Sequence, residues 1–370
     1  MAKRPTVFDY LHWRGDLTME QAPFNELDNI ILSMMTFVDF SAATADGKAA
    51  DLAAAVNAFA LRPEKERYFG AIIPQTVTEL AVAAARCPRF AGTKVCRYED
   101  IVRPDKVEQF AAVTFLLPDK TVFVAFRGTD DTVTGWKEDI LLGFTSGVPA
   151  QQQATRYLNE TAASCKGKIR VGGHSKGGNL SVWAAVNAEP RVRKRIVNIY
   201  SNDGPGFLSS FLESDAFREM EDRMVTFIPE SSAVGMLMEH GGESRFLASE
   251  QKGILQHDPF SWVVEVDRFA YLPTRSRSGM RRDKTVRGWI ASMTEEEKRE
   301  FCDTLFTVVD AAGAETLTQL RKKPLSSFTA AQRTLSGLEK EKRDQFGKMI
   351  KRLLLPDAVT KKKTTLPKKT

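Results

Sequence analysis

A glycine-rich stretch places one serine where it could act as a nucleophile. In "IRVGGHSKGGNLSVWAA", residues 169–185, Ser175 lies between Gly173 and Gly177, after a β-rich run and before a helical pattern. Glycine is unfavourable inside strands and helices, so this clustering indicates a tight strand-to-helix turn, the G-x-S-x-G nucleophile elbow. The amide of Lys176 at the helix N-terminus could then donate to an oxyanion beside the serine.

Two other interpretations of this stretch are possible. A phosphate-binding loop of the Walker type places lysine before the hydroxyl, whereas here Ser175 precedes Lys176, so the residue order argues against it. A glycine-rich turn with a purely structural role stays open. The strand pattern before the turn and the helical pattern after it favour the nucleophile.

The base for this serine must come from four histidines. In proteins with such a turn the base follows the nucleophile along the chain, which leaves His240 and His257. We predict His257, in "KGILQHDPFSW", because its loop follows a predicted strand and can reach over the edge of the sheet. His240 lies in a Met-rich pattern and a turn, and we expect His174 to be structural.

Two carboxylates could orient the imidazole. Asp203 follows the predicted strand "RIVNIYSN" and opens the rigid turn "DGPGF", whereas Glu230 follows the next strand, "RMVTFIP". Ligand-facing residues of parallel sheets gather at the carboxyl ends of the strands, so both positions are suitable. We predict Asp203, because the rigid turn fixes it better, and keep Glu230 as the alternative.

The second oxyanion donor should come from the loop that follows an earlier strand. In "FVAFRGTDDTVTGWKEDI" a strand ends at Phe126, and we predict that Thr129 donates from the next turn. Arg127 is expected to pair with Asp139 or Glu138 and so hold the loop. An ordinary turn with a surface ion pair is the simpler alternative.

The elements around these residues alternate along the chain. Two runs around "PDK" predict a hairpin, and the strands "KIRVGG", "RIVNIYSND" and "RMVTFIPE" are separated by helical patterns, with "SRFLAS" and "SWVVEVDRF" as further strands. This order predicts an α/β fold whose central sheet is mostly parallel and covered by helices on both faces. We expect this domain, with an N-terminal helical extension, over residues 1–285, a helical segment that packs on it or caps it over 286–356, and a disordered basic tail over 357–370.

Composition and charge narrow the functional classes. The net charge is +6, but residues 340–370 carry eleven basic and three acidic residues, which leaves 42 basic and 44 acidic residues in the rest. The basic balance therefore belongs to the tail, which could contact an anionic surface weakly, and no specific nucleic-acid partner is expected. The four cysteines lack metal-ligand spacing, so we expect free thiols and neither metal nor cofactor. With no signal peptide or membrane span in the pattern, we predict a cytoplasmic protein.

These motifs resemble a known family. "VAFRGTDDTVTGWKEDI" followed by "VGGHSKGGN" resembles the class 3, or fungal-type, lipases of the α/β-hydrolase superfamily. The segments "FDYLHWRGDLTMEQAPFNELDNIILS", "QFAAVTF", "IPESSAVGML" and "QHDPFSW" look like a bacterial lipase-like family of cytosolic proteins. The resemblance implies the α/β-hydrolase fold, Ser175 as nucleophile, and Thr129 with the Lys176 amide as the oxyanion hole.

The chain departs from the lipase pattern at two places. Lys176 stands where those lipases usually carry an apolar residue, so its charge should either fold back onto an acid such as Asp139 or meet an anionic group of the substrate. The usual Asp-x-Val-Pro setting of the acid is replaced around Glu230, which favours Asp203.

The leading hypothesis is a serine hydrolase that cleaves a carboxylic ester of a lipid or another small acyl compound. A thioesterase, acyltransferase or amidase would use the same residues, and an inactive hydrolase fold that serves as an interaction module is the alternative from another class. The oligomeric state is left open by the sequence.

Overall fold

The computed structural model describes residues 4–70, 73–232, 234–235, 237–274, 276, 288–290 and 292–354. The strands are β1 (Ala50–Asp51), β2 (Lys94–Arg103), β3 (Glu108–Leu116), β4 (Val122–Phe126), β5 (Ile169–His174), β6 (Ile196–Asn202), β7 (Met224–Pro229), β8 (Glu243–Leu247), β9 (Val264–Glu265), β10 (Arg268–Phe269) and β11 (Tyr271–Leu272). The helices are α1 (Val7–Arg14), α2 (Glu26–Met34), α3 (Ser41–Thr44), α4 (Leu52–Ala60), α5 (Thr76–Ala85), α6 (Val133–Leu142), α7 (Pro149–Ser164), α8 (Lys176–Asn187), α9 (Pro190–Arg193), α10 (Ser209–Leu212), α11 (Asp215–Met220), α12 (Glu295–Asp310), α13 (Leu317–Lys322), α14 (Pro324–Gly337) and α15 (Lys340–Leu354).

One large sheet organises the molecule. Within the described residues, its strand order is β1-β2-β3-β4-β5-β6-β7-β8-β11. Strands β4 to β8 are parallel, while β1 to β4 are antiparallel and β11 is antiparallel to β8. This arrangement confirms the α/β-hydrolase fold class. The sheet is more mixed than predicted, because β1 and β2 extend the predicted β3–β4 hairpin at one edge.

Two strand assignments differ from the sequence patterns. Strand β2, "KVCRYEDIVR", was not predicted, since its charged residues mask the alternation and nine of its ten residues are half-buried or exposed. The segment "SWVVEVDRF" was predicted as one strand, but it forms β9 and β10, which pair with each other in a separate ribbon. Val266 between them has φ 59°, a left-handed conformation that turns the chain back.

Apolar side chains fill both faces of the sheet. One cluster packs α1, α2, α4 and α5 on the first face, and another packs α7, α8 and α11 on the second. Ten of the twelve residues of α8 are buried, with Leu180, Ala184 and Ala185 at 0% exposure, so the helix is covered on nearly all sides. Helix α8 is thereby held against the strands that precede and follow it, which fixes the turn at its N-terminus.

A buried ion pair ties the N-terminal layer together. The guanidinium of Arg89 donates to both carboxylate oxygens of Asp28, at 2.5 Å each, and to the carbonyls of Leu17, Ala22 and Pro23. Both side chains are almost completely buried. Buried charges are tolerated only when they are fully paired, and these bonds pair both groups. Arg89 thereby joins Asp28 of α2 to the loop that precedes this helix.

The described part of the C-terminal segment packs on α6. A third apolar cluster joins Phe144, just after α6, to Phe301 and Cys302 of α12 and Met349 of α15. The amide of Val133 also donates to the carbonyl of Glu315 at 2.9 Å. The predicted boundary between residues 285 and 286 and the predicted tail over 357–370 lie outside the described residues. No helix in the described ranges is long and apolar enough to cross a membrane.

Candidate active site

The turn at Ser175, predicted to be a nucleophile elbow, has a strained backbone. Strand β5 ends at His174 and α8 begins at Lys176, and Ser175 between them has φ 58° and ψ −130°. A non-glycine residue in this region is strained by about 1–3 kcal/mol, and such strain collects at functional sites. A Cβ at position 173 would lie 2.3 Å from the Gly177 carbonyl oxygen, and one at 177 would lie 2.1 Å from that of Phe126. Glycine is therefore required at both positions.

Polar side chains below the turn hold its backbone. The Ser175 amide donates to the Asn202 carbonyl at 3.0 Å, and the Asn202 side chain donates to the Gly173 carbonyl at 2.9 Å. Asn29 of α2 donates in turn to the Asn202 side chain at 2.8 Å, and both asparagines are buried. Asn29 was not among the predicted site residues. Its polar side chain at the start of the apolar run "NIILSMM" is the feature of the sequence that could have indicated a buried role.

Asp203 and His257 form a hydrogen-bonded pair at the carboxyl edge of the sheet. Asp203 directly follows β6, and its Oδ2 lies 2.7 Å from His257 Nδ1. A carboxylate can only accept, so Nδ1 carries the proton and a neutral imidazole leaves Nε2 free to act as a base. The Asp203 side chain is 0% exposed and that of His257 is 24% exposed. Glu230 makes backbone contacts to Leu247 and Ser276 instead, and Asp203 is the acid that bonds to His257.

The Asp203 carboxylate has a second donor that sequence analysis missed. The hydroxyl of Ser232 donates to Asp203 Oδ2 at 2.6 Å, and Ser232 in turn accepts from the Gly235 amide at 3.2 Å. A Cβ at position 235 would lie 2.1 Å from Asp203 Oδ1, so this loop closes tightly over the carboxylate. Asp203 itself has φ 52°. No regular spacing links residue 232 to residue 203, so only the fold brings them together.

His174 supports the loop that carries His257. Its Nε2 lies 2.8 Å from the His257 carbonyl oxygen, and since a carbonyl only accepts, Nε2 is the donor. The two rings lie 4.6 Å apart between centroids. Burial, together with the nearby charge of His257, holds the pKa of His174 well below its ordinary value, against the opposing hydrogen bond to His257. His174 therefore stays neutral and structural.

His257 lies close to the turn that presents Ser175. The residue before Ser175 is His174, whose ring and Nε2 contact His257 as described. The Ser175 side chain is partly exposed, and its hydroxyl makes no hydrogen bond to any residue that the structure describes. Ser175 and His257 are therefore held near each other through His174, without a hydrogen bond between their side chains in the described structure.

The loop after β4 lies against the elbow and presents Thr129. A Cβ at Gly128 would lie 3.3 Å from Ser175 Cβ and 2.7 Å from the His174 carbonyl oxygen. The Thr129 hydroxyl donates to Asp139 Oδ2 at 2.5 Å. Burial raises the pKa of Asp139 to about 6, although Lys176 and the Thr129 hydrogen bond oppose the shift. In the described part of the chain the amides of Thr129 and Lys176 donate to no other group, so both could donate to an oxyanion.

Arg127 pairs differently from the sequence prediction. Its guanidinium donates to both carboxylate oxygens of Asp100, at 2.7 and 2.8 Å, and to Asp130 at 3.0 Å, rather than to Glu138 or Asp139. The Arg127 amide donates to the Ala111 carbonyl, and Ala111 is paired with Asp100 across β2 and β3. The pairing register of β2, a strand that was not predicted, therefore places Asp100 beside Arg127.

The Lys176 side chain is buried and its charge is balanced inside the protein. Its Nζ donates to Glu138 Oε2 at 3.0 Å, to the Gln109 carbonyl at 2.8 Å and to Gln109 Oε1 at 2.5 Å. The predicted acid was Asp139, but α6 directs Asp139 to Thr129 and its neighbour Glu138 to Lys176. Glu138 also accepts from the amides of Gln109 and Ala150. An anionic substrate is therefore not needed to balance the lysine.

Among the residues that the structure describes, no group of three or more His, Cys, Asp or Glu side chains could hold a metal ion. His240, the other candidate base, directs Nε2 to the Gly235 carbonyl at 2.7 Å and does not bond to Asp203 in the described structure.

Comparisons with known proteins place the chain in a family. Several solved lipases are remotely similar to it: the native Rhizomucor miehei lipase propeptide complex (14% identity, 69% of this chain and 75% of that chain, TM-score 0.37), M37 lipase (12%, 57% and 68%, 0.33) and a triacylglycerol lipase from Penicillium expansum (12%, 63% and 82%, 0.32). A search of curated protein sequences gave no match. The Mbeg1-like family profile matches residues 84–307, which is more than half of the chain and includes the Ser175 turn, the carboxylate–imidazole pair and the loop of Thr129. The chain therefore belongs to the Mbeg1-like family.

Proposed function

We propose that the protein is a serine hydrolase that cleaves carboxylic esters through an acyl-enzyme. The observation that carries this proposal is the buried Asp203 carboxylate bonded to His257 Nδ1 beside the strained turn at Ser175. A buried carboxylate orients the imidazole and stabilises its positive charge, which lets Nε2 accept a proton. The same tautomer could not be held by Glu230, which makes no bond to His257 in the described structure.

In the proposed reaction Ser175 attacks the carbonyl carbon of the ester while His257 Nε2 removes the hydroxyl proton. The tetrahedral oxyanion accepts from the amides of Thr129 and Lys176, each worth about 3 kcal/mol in such a site. His257 then protonates the departing alcohol, and the acyl group remains on Ser175. Water, deprotonated by the same imidazole, releases the acid and restores the serine.

A fluorophosphonate probe tests the nucleophile. We expect stoichiometric labelling of the wild type and no labelling of Ser175→Ala, because the probe reacts only with an activated serine. Ser210→Ala is the matched control, since Ser210 is an exposed serine of α10 and should label like the wild type. Equal labelling of wild type and Ser175→Ala, or none of a folded wild type, would contradict the proposal.

A second pair of variants tests the acid. Asp203→Asn should lower the labelling rate by about 10⁴-fold, because the imidazole would lose its correct tautomer and its charge partner. Glu230→Gln should leave the rate within about twofold. A larger loss in Glu230→Gln than in Asp203→Asn would reverse the assignment. Esters and thioesters of increasing acyl length would then define the substrate.

A further inference from the structure

Two of the four cysteines lie next to each other on the side of the sheet covered by α7. Cys96 is on β2 and Cys165 directly follows α7, and their sulfur atoms are 3.8 Å apart. Both side chains are partly exposed. Cys302 is instead buried under the C-terminal helices, and Cys87 Sγ contacts the Ala83 carbonyl oxygen at 3.2 Å.

The backbone is arranged so that Cys96 reaches Cys165. The pairing of β2 with β3 shifts register between Val95 and Arg97, which makes Cys96 the additional residue of a β-bulge. A bulge redirects the side chain of the residue that it inserts. On the other side, the Cys165 amide donates to the Thr161 carbonyl at 2.8 Å, and Arg195 donates to the Cys165 carbonyl at 2.6 Å. The two main chains therefore bring the sulfur atoms next to each other.

The contact between the two sulfur atoms favours one thiolate and one thiol. Contact with Cys96 lowers the pKa of Cys165 against the effect of burial, and the charges of Arg195 and Arg97 lower it further. That same contact, with burial, raises the pKa of Cys96. A thiolate next to a second thiol is the arrangement typical of redox-active cysteines.

We propose that Cys96 and Cys165 form a peroxide-reactive dithiol site that converts to an intrachain disulfide. The Cys165 thiolate attacks one oxygen of a hydroperoxide, the O–O bond breaks, and the other oxygen leaves as hydroxide or alkoxide and takes up a proton. The resulting sulfenic acid is attacked by the Cys96 sulfur, whose proton leaves with the hydroxyl group as water. Two thiols thus supply the two electrons that reduce one peroxide.

Forming the bond requires the sulfur atoms to move from 3.8 Å to the disulfide distance of about 2.05 Å. Residues 166–168 after Cys165 are exposed, so this end of the helix has room to adjust. The bond would close a loop between positions 69 apart and tie β2 to the end of α7. A cross-link over a loop of this length restricts the unfolded chain and should raise Tm by roughly 5 °C.

The test counts thiols in the full-length protein. Reduced protein is treated with hydrogen peroxide, freed of oxidant, then denatured in the presence of N-ethylmaleimide and weighed by mass spectrometry. All four cysteines should be labelled before oxidation and two after it, with a disulfide-linked peptide pair that contains Cys96 and Cys165. Dithiothreitol should restore four labels and the lower Tm.

Variants separate this site from general oxidation. Cys87→Ser/Cys302→Ser should still lose two labels, because it retains the proposed pair. Cys165→Ser and Cys165→Ala should form no linked peptide and show no rise in Tm on oxidation, and circular dichroism before oxidation checks that at least one is folded. The proposal would be overturned by four labels on the oxidised wild type. It would also be overturned if a disulfide that involves Cys87 or Cys302 formed as readily as the one between Cys96 and Cys165. These outcomes do not depend on ester hydrolysis.

Discussion

The ion pair Arg89–Asp28 and the ion pair Lys176–Glu138 are equally buried, but they belong to different regions. Arg89 and Asp28 lie in the N-terminal layer, and all the groups that they contact are structural. Lys176 begins α8 directly after Ser175, and its side chain is anchored to Glu138 and Gln109. The side-chain anchor of Lys176 therefore also positions the backbone amide proposed as an oxyanion donor.

This difference predicts two kinds of variant. Loss of the first pair should reduce mainly the amount of folded protein, since neither side chain bonds to Ser175, His257 or Asp203 in the described structure. Loss of the second pair should lower both the stability and the reactivity of Ser175. Burial alone does not distinguish the two pairs. The difference is that the backbone amide of Lys176 is a proposed oxyanion donor, whereas no such role is proposed for Arg89 or Asp28.

The largest effect on stability is expected for Arg89→Met. It leaves the Asp28 carboxylate buried without its cation and removes the donors to Leu17, Ala22 and Pro23, at a cost of about 3–5 kcal/mol in the free energy of unfolding. Urea denaturation measures this loss. The probe-labelling rate of the folded fraction should stay within about twofold of the wild type, and a larger fall would remove the distinction between the regions.

Lys176→Met should cost about 3 kcal/mol in stability and lower the labelling rate of Ser175 at least tenfold. The stability loss arises because Glu138 keeps a buried charge, while the rate loss arises because the first turn of α8 loses its anchor. Lys176→Met/Glu138→Gln should recover most of the stability, as measured by urea denaturation of the wild type and both variants. If Lys176→Met is destabilised but labels at the wild-type rate, the Lys176 side chain does not position the Lys176 amide.

His174 should make stability depend on pH. Its folded-state pKa is depressed, so below about pH 6.5 the unfolded chain binds a proton that the folded protein does not. The contribution of His174 is thus present above pH 6.5 and is lost as pH falls, by at most about 1.4 kcal/mol per pH unit. His174→Gln keeps a donor for the His257 carbonyl but cannot titrate. Its unfolding free energy, measured between about pH 5 and pH 7.5, should fall less steeply than that of the wild type; parallel curves would exclude this role.

The smallest effect is expected for Ser232→Ala. It removes one hydrogen bond to Asp203 but leaves the bond to His257, so the labelling rate should fall about fivefold, equivalent to about 1 kcal/mol. Ser231→Ala is the neighbouring control, because the Ser231 hydroxyl contacts Ser276 instead. A loss as large as that of Asp203→Asn would mean that Ser232 determines the conformation of the whole acid loop.

The features that sequence analysis predicted are those encoded by local spacing. The glycines around Ser175 and the alternation of β3 and β4 each leave a pattern within about twenty residues. The acid could be narrowed to two candidates, because Asp203 and Glu230 each follow the end of a predicted strand. Strand β2 was missed because charged residues obscure its alternation. The partners of Arg127, the contact of Ser232 with Asp203 and the support from Asn29 depend on register or on segments far apart in the chain, and no local pattern encodes these distances.

Glu138 and Asp139 are consecutive residues of α6, and each fixes one of the two amides that would face the reacting carbonyl: Glu138 through Lys176, Asp139 through Thr129. The distance between those two amides therefore depends on the position of α6. The C-terminal helices rest on the same helix through Ile140 and Leu141. In the proposed hydrolase, a displacement of those helices would therefore be transmitted through α6 to both oxyanion donors.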